Sequence, residues 1–447
     1  MAQHQVFPCL NVRMMLALYR LIWLVCMPVI LIYLYLRSRR EPEYFKFLDE
    51  RFGHHKLRKN THIWIHAVSL GEVRSAAPLI AHLLKGHLPI VTTHFTPAGR
   101  REVARLFPSA IANGRLTACY IPFDYDAAFK RFFKAFSPAY GLVMEVEFWP
   151  GMIMSCRKRG VPLFLCNGQY PSKSFERDKS RFFSRAKVVC GFAGVMVKSQ
   201  LQADRFRELG VKKIAVTGEM RFEQPIPQDH LDAAHNLRTA AFAERSVITL
   251  ASVVEGEDDR FLELIAAIRT HFANQKKSAP LFIYVPRAPD RFELVADMIE
   301  KRGLRYARRS EWLNSALHPQ TESTMGTFDI LLGDSIGEMY FYLELCDLAI
   351  VGGGFSPKGS HNIAEPICLK KPVIIGPNDY TIEFPAHEAI AAGVCLRMDF
   401  DKLTERLTQS PLQFTTKGKL EIFLSSVGGG TIKTIAALEK FLPPTSH

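Results

Sequence analysis

From Phe45 onward, short apolar runs alternate with amphipathic helical stretches, and this rhythm leaves few folds open. Strands are predicted at Ile63–Ala67, Leu88–Thr93, Thr117–Ile121, Gly141–Glu145, Leu163–Asn167, Val195–Lys198 and Ile214–Thr217. Helical patterns lie between them, as at Val73–Leu84, Ala127–Phe136 and Leu201–Leu209. Pro225-Ile-Pro227-Gln then interrupts with a rigid, polar segment suited to a linker. The rhythm resumes with strands at Val247–Ala251, Leu281–Val285, Asp329–Leu332, Leu348–Val351 and Val373–Ile375. Repeated βα units give parallel sheets covered by helices on both faces. The expectation is therefore an α/β chain of two Rossmann-like domains facing a central cleft, with ligands beyond the C-terminal strand ends. The boundaries expected are an anchor and basic flank at 1–42, a first domain at 43–224 and a second at 225–447.

The segment before this pattern is of another kind. Met14 to Leu36 is almost wholly apolar, and Arg20 is its one charge. It is about long enough to cross a hydrocarbon core if Arg20 snorkels to one face. A helix lying flat in the membrane interface is the alternative. Arg37, Arg39 and Arg40 follow it, and the positive-inside rule puts that end, and the rest of the chain, on the cytoplasmic side. A cleaved signal peptide has its charge before the apolar run, the reverse of what stands here.

The net charge is +13, and Met1 to Asn60 carries ten basic against four acidic residues, so much of the excess lies beside the apolar segment. Such a balance suits a polyanionic partner: nucleic acid, a membrane surface or a phosphorylated substrate. Lys173 to Lys187 adds six basic residues interleaved with Phe175, Phe182 and Phe183. No RRM, helix-turn-helix or KH signature accompanies them, so a membrane-facing or acceptor-binding surface is expected rather than nucleic acid. The nine cysteines are scattered with no C-x-x-C pair, which argues against a disulfide framework, a structural zinc site and an oxidising compartment.

Four motifs join a strand to a helix. In His66-Ala-Val-Ser69-Leu-Gly71-Glu72, Gly71 is expected to allow a tight turn. Glu72 falls at the start of the next helix, where it serves equally well as a general base or as a complement to the helix dipole. Val351-Gly352-Gly353-Gly354 runs on to Lys358-Gly359-Ser360-His361-Asn362 and presents free N–H groups to an anion, without the Walker pattern. Arg287, in Tyr284-Val-Pro286-Arg287, is placed for a phosphate or carboxylate, or is a surface Arg near a helix start. In Gly333-Asp334-Ser-Ile336-Gly337-Glu338, Asp334 or Ser335 is an ordinary N-cap, and Glu338 either bonds a ribose or closes a capping box. Asp124-Tyr-Asp126 looks like a metal-binding D-x-D, but Asp126 before an apolar helix reads more simply as an N-cap. No metal site is expected: His54-His55 has no third ligand nearby.

These motifs, in this order behind an apolar anchor, resemble the 3-deoxy-D-manno-octulosonic acid (Kdo) transferases of lipopolysaccharide synthesis. The resemblance also rests on Thr96-Pro-Ala-Gly99, Tyr120-Ile-Pro-Phe-Asp124, Met144-Glu145-Val-Glu147-Phe-Trp149-Pro150, Glu255-Gly-Glu257 and His361-Asn362-Ile-Ala-Glu365. It implies a GT-B fold and an inverting transfer, independent of metal or other cofactor, of Kdo from CMP-Kdo to a lipid A precursor (lipid IVA). The implied setting is the cytoplasmic side of the inner membrane, with a single N-terminal anchor.

By position, the resemblance makes Glu72 the base and Glu145 and Arg221 stabilisers of the transition state. It makes Pro286, Arg287, Ile336, Gly337, Glu338, Asn362, Ile363, Ala364 and Glu365 the CMP-binding set. The chain departs from the family pattern at Val253-Val254, where Thr-His is usual, and at Asn167-Gly168-Gln169, where Asn-Ala-Arg is usual. Ile336 replaces Met, Arg221 replaces Lys and Ser360 replaces Gly. Two other readings are a GT-B transferase using another nucleotide sugar on a membrane lipid, and a degenerate paralogue that binds lipid.

Overall fold

The computed structural model describes residues 9–180, 188–320, 327–409, 412 and 414–442. Residues 181–187 of the basic run and the 443–447 tail therefore lie outside the described residues. The chain forms two compact units, Met1–Gln224 with Gly429–His447, and Pro225–Gly428.

Each unit is built on one parallel sheet of seven strands. The first holds β1 (His62–His66), β2 (Ile90–His94), β3 (Leu116–Tyr120), β4 (Pro138–Met144), β5 (Leu163–Gly168), β6 (Gly194–Val197) and β7 (Ile214–Val216). Their order is β3-β2-β1-β4-β5-β6-β7. The second holds β8 (Val247–Val253), β9 (Leu281–Pro286), β10 (Tyr306–Arg308), β11 (Ile330–Leu332), β12 (Leu348–Val351), β13 (Val373–Ile375) and β14 (Cys395–Arg397). Their order is β10-β11-β9-β8-β12-β13-β14. The sequence reading misses β10 and β14. Both are three-residue edge strands, Tyr-Ala-Arg and Cys-Leu-Arg, too short and too polar to register as apolar runs.

The winding of each sheet reverses once, and there the chain opens a crevice at the C-terminal strand ends. In the first sheet the reversal lies between β1 and β4, which pair with His66 opposite Val143. In the second it lies between β8 and β12, which pair with Ala251 opposite Val351. The central strands β1, β2, β5, β9 and β12 are buried along their whole length, as parallel strands covered on both faces must be. Trp64 anchors the first core, with Phe129, Phe132 and Phe133 around it and its indole N–H on Thr93 Oγ1 at 2.8 Å. Gly141 on β4 makes room for it, since a Cβ there would stand 2.9 Å from the Trp64 ring.

The helix Cys9–Ser38 lies along the first unit. Met15, Leu16, Tyr19, Trp23, Met27, Ile30, Leu31 and Leu34 recur at helical spacing and form the face turned inward. Tyr19 donates to Asp124 Oδ2 at 2.6 Å, and the Trp23 and Phe123 rings lie 6.0 Å apart. Leu21, Leu24, Val25, Val29 and Ile32 form the opposite face and are exposed.

Three local expectations are corrected. The second domain does not run to 447, because helix Gly430–Phe441 returns to the first unit. There Phe441 stacks on Phe164, and Lys213 Nζ donates to the Phe441 carbonyl at 2.9 Å. Asp126 is not an N-cap. Tyr125 holds that position, and Asp126 binds Arg159, Lys158 and Ser155 instead. Asp334 likewise does not cap the helix that follows it. It accepts from the backbone N–H of Ser310 at 2.9 Å, while Glu338 stands at the N-cap of helix Met339–Leu345.

Candidate active site

The crevice of the first unit gathers charge. Glu72 lies in the first turn of helix Leu70–Leu83, just beyond β1. Ser69 caps this helix, accepting from the Glu72 N–H at 3.4 Å, while Glu72 Oε2 accepts from the Val68 N–H at 2.6 Å. The turn is made by Val68 and Ser69. Gly71 is helical, with no positive φ, so the tight turn expected of it is not there, and a Cβ on it would meet nothing within 4 Å. Burial, then the charges of Glu145 and Glu147, push the Glu72 carboxyl up to about 8, against the Val68 N–H and Arg221. Capping and catalysis are compatible here: Oε2 is held by the backbone, and the carboxyl is poised near neutrality.

Glu145 follows β4 directly, across the crevice from Glu72. Its φ of 58° is a left-handed conformation uncommon outside glycine, so the strand end turns sharply there. Arg221 Nη2 donates to Glu145 Oε1 at 2.6 Å, from the short helix Met220–Glu223 beyond β7. Behind this pair lies a buried network that sequence reasoning missed. Lys198, at the end of β6 and 1% exposed, stands 2.8 Å from Glu219 Oε2 and 4.0 Å from Glu145 Oε1. Asn167, also left-handed, donates to Glu219 Oε1 at 2.7 Å and to Ser75 Oγ at 3.1 Å. Burial raises the Glu219 carboxyl, but Lys198, Arg221 and Asn167 outweigh it and hold the group below its ordinary range. A buried acid paired in this way stays ionised and fixes the cations beside it.

Asp124 takes a role that its D-x-D setting does not suggest. Fully buried, it accepts from the N–H groups of Gly151 and Met152 at 2.8 and 2.6 Å, so it caps helix Pro150–Arg159 from a distance. Burial first of all lifts its pKa to about 6. Glu147, in the loop between Glu145 and that helix, accepts from the Trp149 indole at 2.5 Å.

In the second unit the crevice between β8 and β12 is held by Glu257. Its carboxylate accepts from the N–H groups of Gly353 at 2.8 Å, Phe355 at 3.0 Å and Val254 at 3.2 Å, so the Gly-rich loop is pinned to the end of β8. Only glycine fits at 353, where φ is 88° and a Cβ would stand 2.3 Å from the Gly359 carbonyl. Arg287, after β9, is exposed, and its backbone N–H bonds the Val253 carbonyl at 2.9 Å. His361 lies near it: burial, then the Arg287 charge, lower the imidazole to about 4. The buried Ser360 Oγ and His361 Nε2 have no hydrogen-bond partner among the described residues.

Glu338 is gripped from both sides. Arg309 donates to its two oxygens at 2.6 Å each, and Ser335 Oγ donates at 2.5 Å. Beside it Ile336 is 74% exposed and Gly337 has φ 90°. Asn362 Oδ1 accepts from the Ala364 N–H at 2.9 Å, at the entry to helix Ala364–Cys368, where Ile363 is buried and Glu365 half-buried. Glu72, Glu145 and Arg221 thus share the crevice of the first unit. In the second, Pro286 ends β9 and Arg287 follows it, while Ile336, Gly337 and Glu338 come after β11 and Asn362 through Glu365 after β12. Among the described residues, no group of three or more His, Cys, Asp or Glu side chains is arranged to hold a metal ion.

The sequence profile of the family described as 3-Deoxy-D-manno-octulosonic-acid transferase (kdotransferase) matches residues 46–224. A 3-deoxy-D-manno-octulosonic acid transferase of Bordetella pertussis is 34% identical over 93% of this chain and 96% of its own length. One of Haemophilus influenzae is 30% identical over 82% of this chain and 83% of its own. A solved glycosyltransferase of Rickettsia africae ESF-5, 11% identical, covers 86% of this chain and 98% of its own with a TM-score of 0.54, a likeness of fold. With two seven-stranded Rossmann-like sheets of GT-B type and relatives matched along almost its whole length, the chain is a glycosyltransferase and belongs to the 3-deoxy-D-manno-octulosonic acid transferase family.

Proposed function

We propose that the protein transfers Kdo from CMP-Kdo to a hydroxyl of a lipid A precursor, with inversion at the sugar carbon. The observation that carries this reading is the Glu72 carboxyl, pushed up to about 8 and fixed through Oε2 on the Val68 N–H. A base works best when its pKa lies near the working pH. Glu72 takes the proton from the acceptor hydroxyl as that oxygen bonds to the anomeric carbon. The bond from that carbon to the CMP phosphate breaks, and CMP leaves with the electron pair. Glu145 faces the positive charge that grows on the sugar, and Arg221 answers the sugar acid's carboxylate.

Arg287, Pro286, the Ile336–Glu338 turn and the Asn362–Glu365 segment hold CMP. Arg287 supplies the charge for the phosphate, and no acid is needed for so stable a leaving group. No metal or other cofactor takes part in this scheme. The helix Cys9–Ser38 attaches the protein to the cytoplasmic face of the inner membrane. Its inward face is committed to the first unit from Met15 to Leu34, which favours a helix lying flat over one that crosses.

The purified full chain, incubated with CMP-Kdo and lipid IVA, should yield a lipid heavier by Kdo in the mass spectrum. Product from UDP-sugars and none from CMP-Kdo would favour the other nucleotide-sugar reading, and no product from any donor would favour the lipid-binding paralogue.

A further inference from the structure

A cavity of about 610 Å³ opens between the N-terminal helix and the loop that follows β4. The helix contributes Met15, Tyr19, Ile22 and Trp23, and the loop contributes Phe148 and Trp149. The volume is that of an ordinary small-molecule site. Glu147 is the one charged side chain among the lining residues; it binds the Trp149 indole, and the Trp149 ring lies 5.5 Å from that of His66, at the end of the strand that leads to Glu72. The cavity therefore has a polar end toward the candidate base and apolar walls away from it. The outer face of the same helix is exposed and apolar at Leu21, Leu24, Val25 and Val29, so the helix separates the cavity from whatever covers that face.

We propose that this cavity seats one acyl chain of the acceptor lipid, between helix and loop, with the acceptor's hydroxyl-bearing head toward Glu72. The assignment rests on the lipid acceptor proposed above and adds to it the place where the chain lies. The polarity gradient selects this occupant: an amphiphile fits with its chain on Ile22, Phe148 and Trp149 and its head beyond Glu147. A chain that moves from lipid into an apolar slot changes one apolar surrounding for another, so the slot contributes little affinity. Its contribution is position: one chain held in place limits how the head reaches the base. The N-terminal helix is on this reading a wall of the substrate site as well as an anchor.

The test compares two acceptors on the full chain in mixed micelles with CMP-Kdo: the acylated lipid A precursor and its deacylated, soluble counterpart. Ile22→Trp, which puts a bulkier side chain at the cavity wall, should lower the ratio of kcat/KM for acylated over deacylated acceptor at least tenfold, and Ile22→Val should keep the wild-type ratio. A ratio unmoved by Ile22→Trp would overturn the slot and leave the Kdo-transfer reading standing. Wild-type protein that glycosylates neither acceptor would instead overturn the function on which the slot depends.

A second measurement needs no variant. An acceptor with a photoreactive group at the end of one acyl chain should label Met15–Trp23 or Phe148–Trp149. Labelling confined to other segments would overturn the proposal. So would labelling of these residues by a photoreactive phospholipid that added acceptor fails to displace, because the cavity would then be a bilayer-lipid site.

Discussion

Arg221 reaches Glu145 at 2.6 Å, and a second cation, Lys198, stands 4.0 Å from the same carboxylate oxygen. One acid thus faces two bases, while Glu219 balances Lys198 from behind at 2.8 Å. The cations differ in setting. Lys198 is sealed in the interior, and Arg221 is 22% exposed at the crevice, so Arg221 is the one positioned to meet a substrate. Arg221→Lys should keep most turnover, because a cation still answers both Glu145 and the donor's carboxylate. Arg221→Met should lower kcat on the order of 10², the scale of losing one preorganised electrostatic group. Steady-state rates of the two variants at saturating donor check the difference; equal rates would take Arg221 out of the chemistry.

Lys198 makes a different prediction. Lys198→Met takes from the buried Glu219 its ion-pair partner at 2.8 Å, which should destabilise the protein by about 3–5 kcal/mol. Adding Glu219→Gln removes the stranded charge and should recover much of that loss. Chemical denaturation of the single and double variants measures the coupling. A double variant no more stable than Lys198→Met would mean that the pair is not the reason Lys198 is buried.

How much of this was legible beforehand depends on sequence distance. Glu72 stands out because it follows an apolar strand in a doubly wound fold, whereas Glu145 and Arg221 are marked only by the family resemblance. Arg287 and the Gly352–Gly354 run stand out for the same reason as Glu72. The network behind them does not. Asn167 meets Glu219 across 52 residues and Tyr19 meets Asp124 across 105, and neither pair leaves a local pattern. Asp126 misleads as an N-cap because a short acid before an apolar helix serves equally well for pairing with Arg159 from another helix. The destination of the last helix is hidden too: an amphipathic stripe on Gly430–Phe441 says that a sheet is covered, not which one.

The donor site gives a binding prediction. Arg287→Ala removes the charge proposed to meet the CMP phosphate, a loss of roughly 1.5–3 kcal/mol for a charge-assisted bond. Calorimetric titration with CMP should show that weakening while the melting temperature barely moves, since Arg287 is exposed. Unchanged CMP affinity would return Arg287 to the ordinary protein surface.

A helix that lies flat and one that crosses differ at their first turns. Met14→Cys should stay unlabelled when intact cells are treated with a membrane-impermeant thiol reagent, because a flat helix keeps Met14 on the cytoplasmic side. Labelling from outside would establish a crossing helix and undo the packing seen from Met15 to Leu34.

Glu72 ties activity to stability. Its pKa is raised from 4.5 to about 8, so protonation is favoured in the folded state. The stabilisation this brings is complete below about pH 4.5 and is lost as pH rises through about 8. The base form grows over the same interval. Two opposite trends should follow between pH 6 and 9: kcat/KM rises with pH toward a plateau above 8, while thermal stability falls. Glu72→Gln keeps the shape of the side chain but cannot take a proton. It should lower turnover on the order of 10²–10⁴ and flatten the pH dependence of melting, so that at pH 9 the variant melts above the wild type. Rate and melting profiles of both proteins over that range decide the matter. A variant with near-normal turnover would remove Glu72 as the base, and Glu145 would be the next carboxylate to examine. A variant with low turnover and an unchanged melting profile would keep Glu72 in the reaction but show that its carboxyl is not held protonated near neutrality.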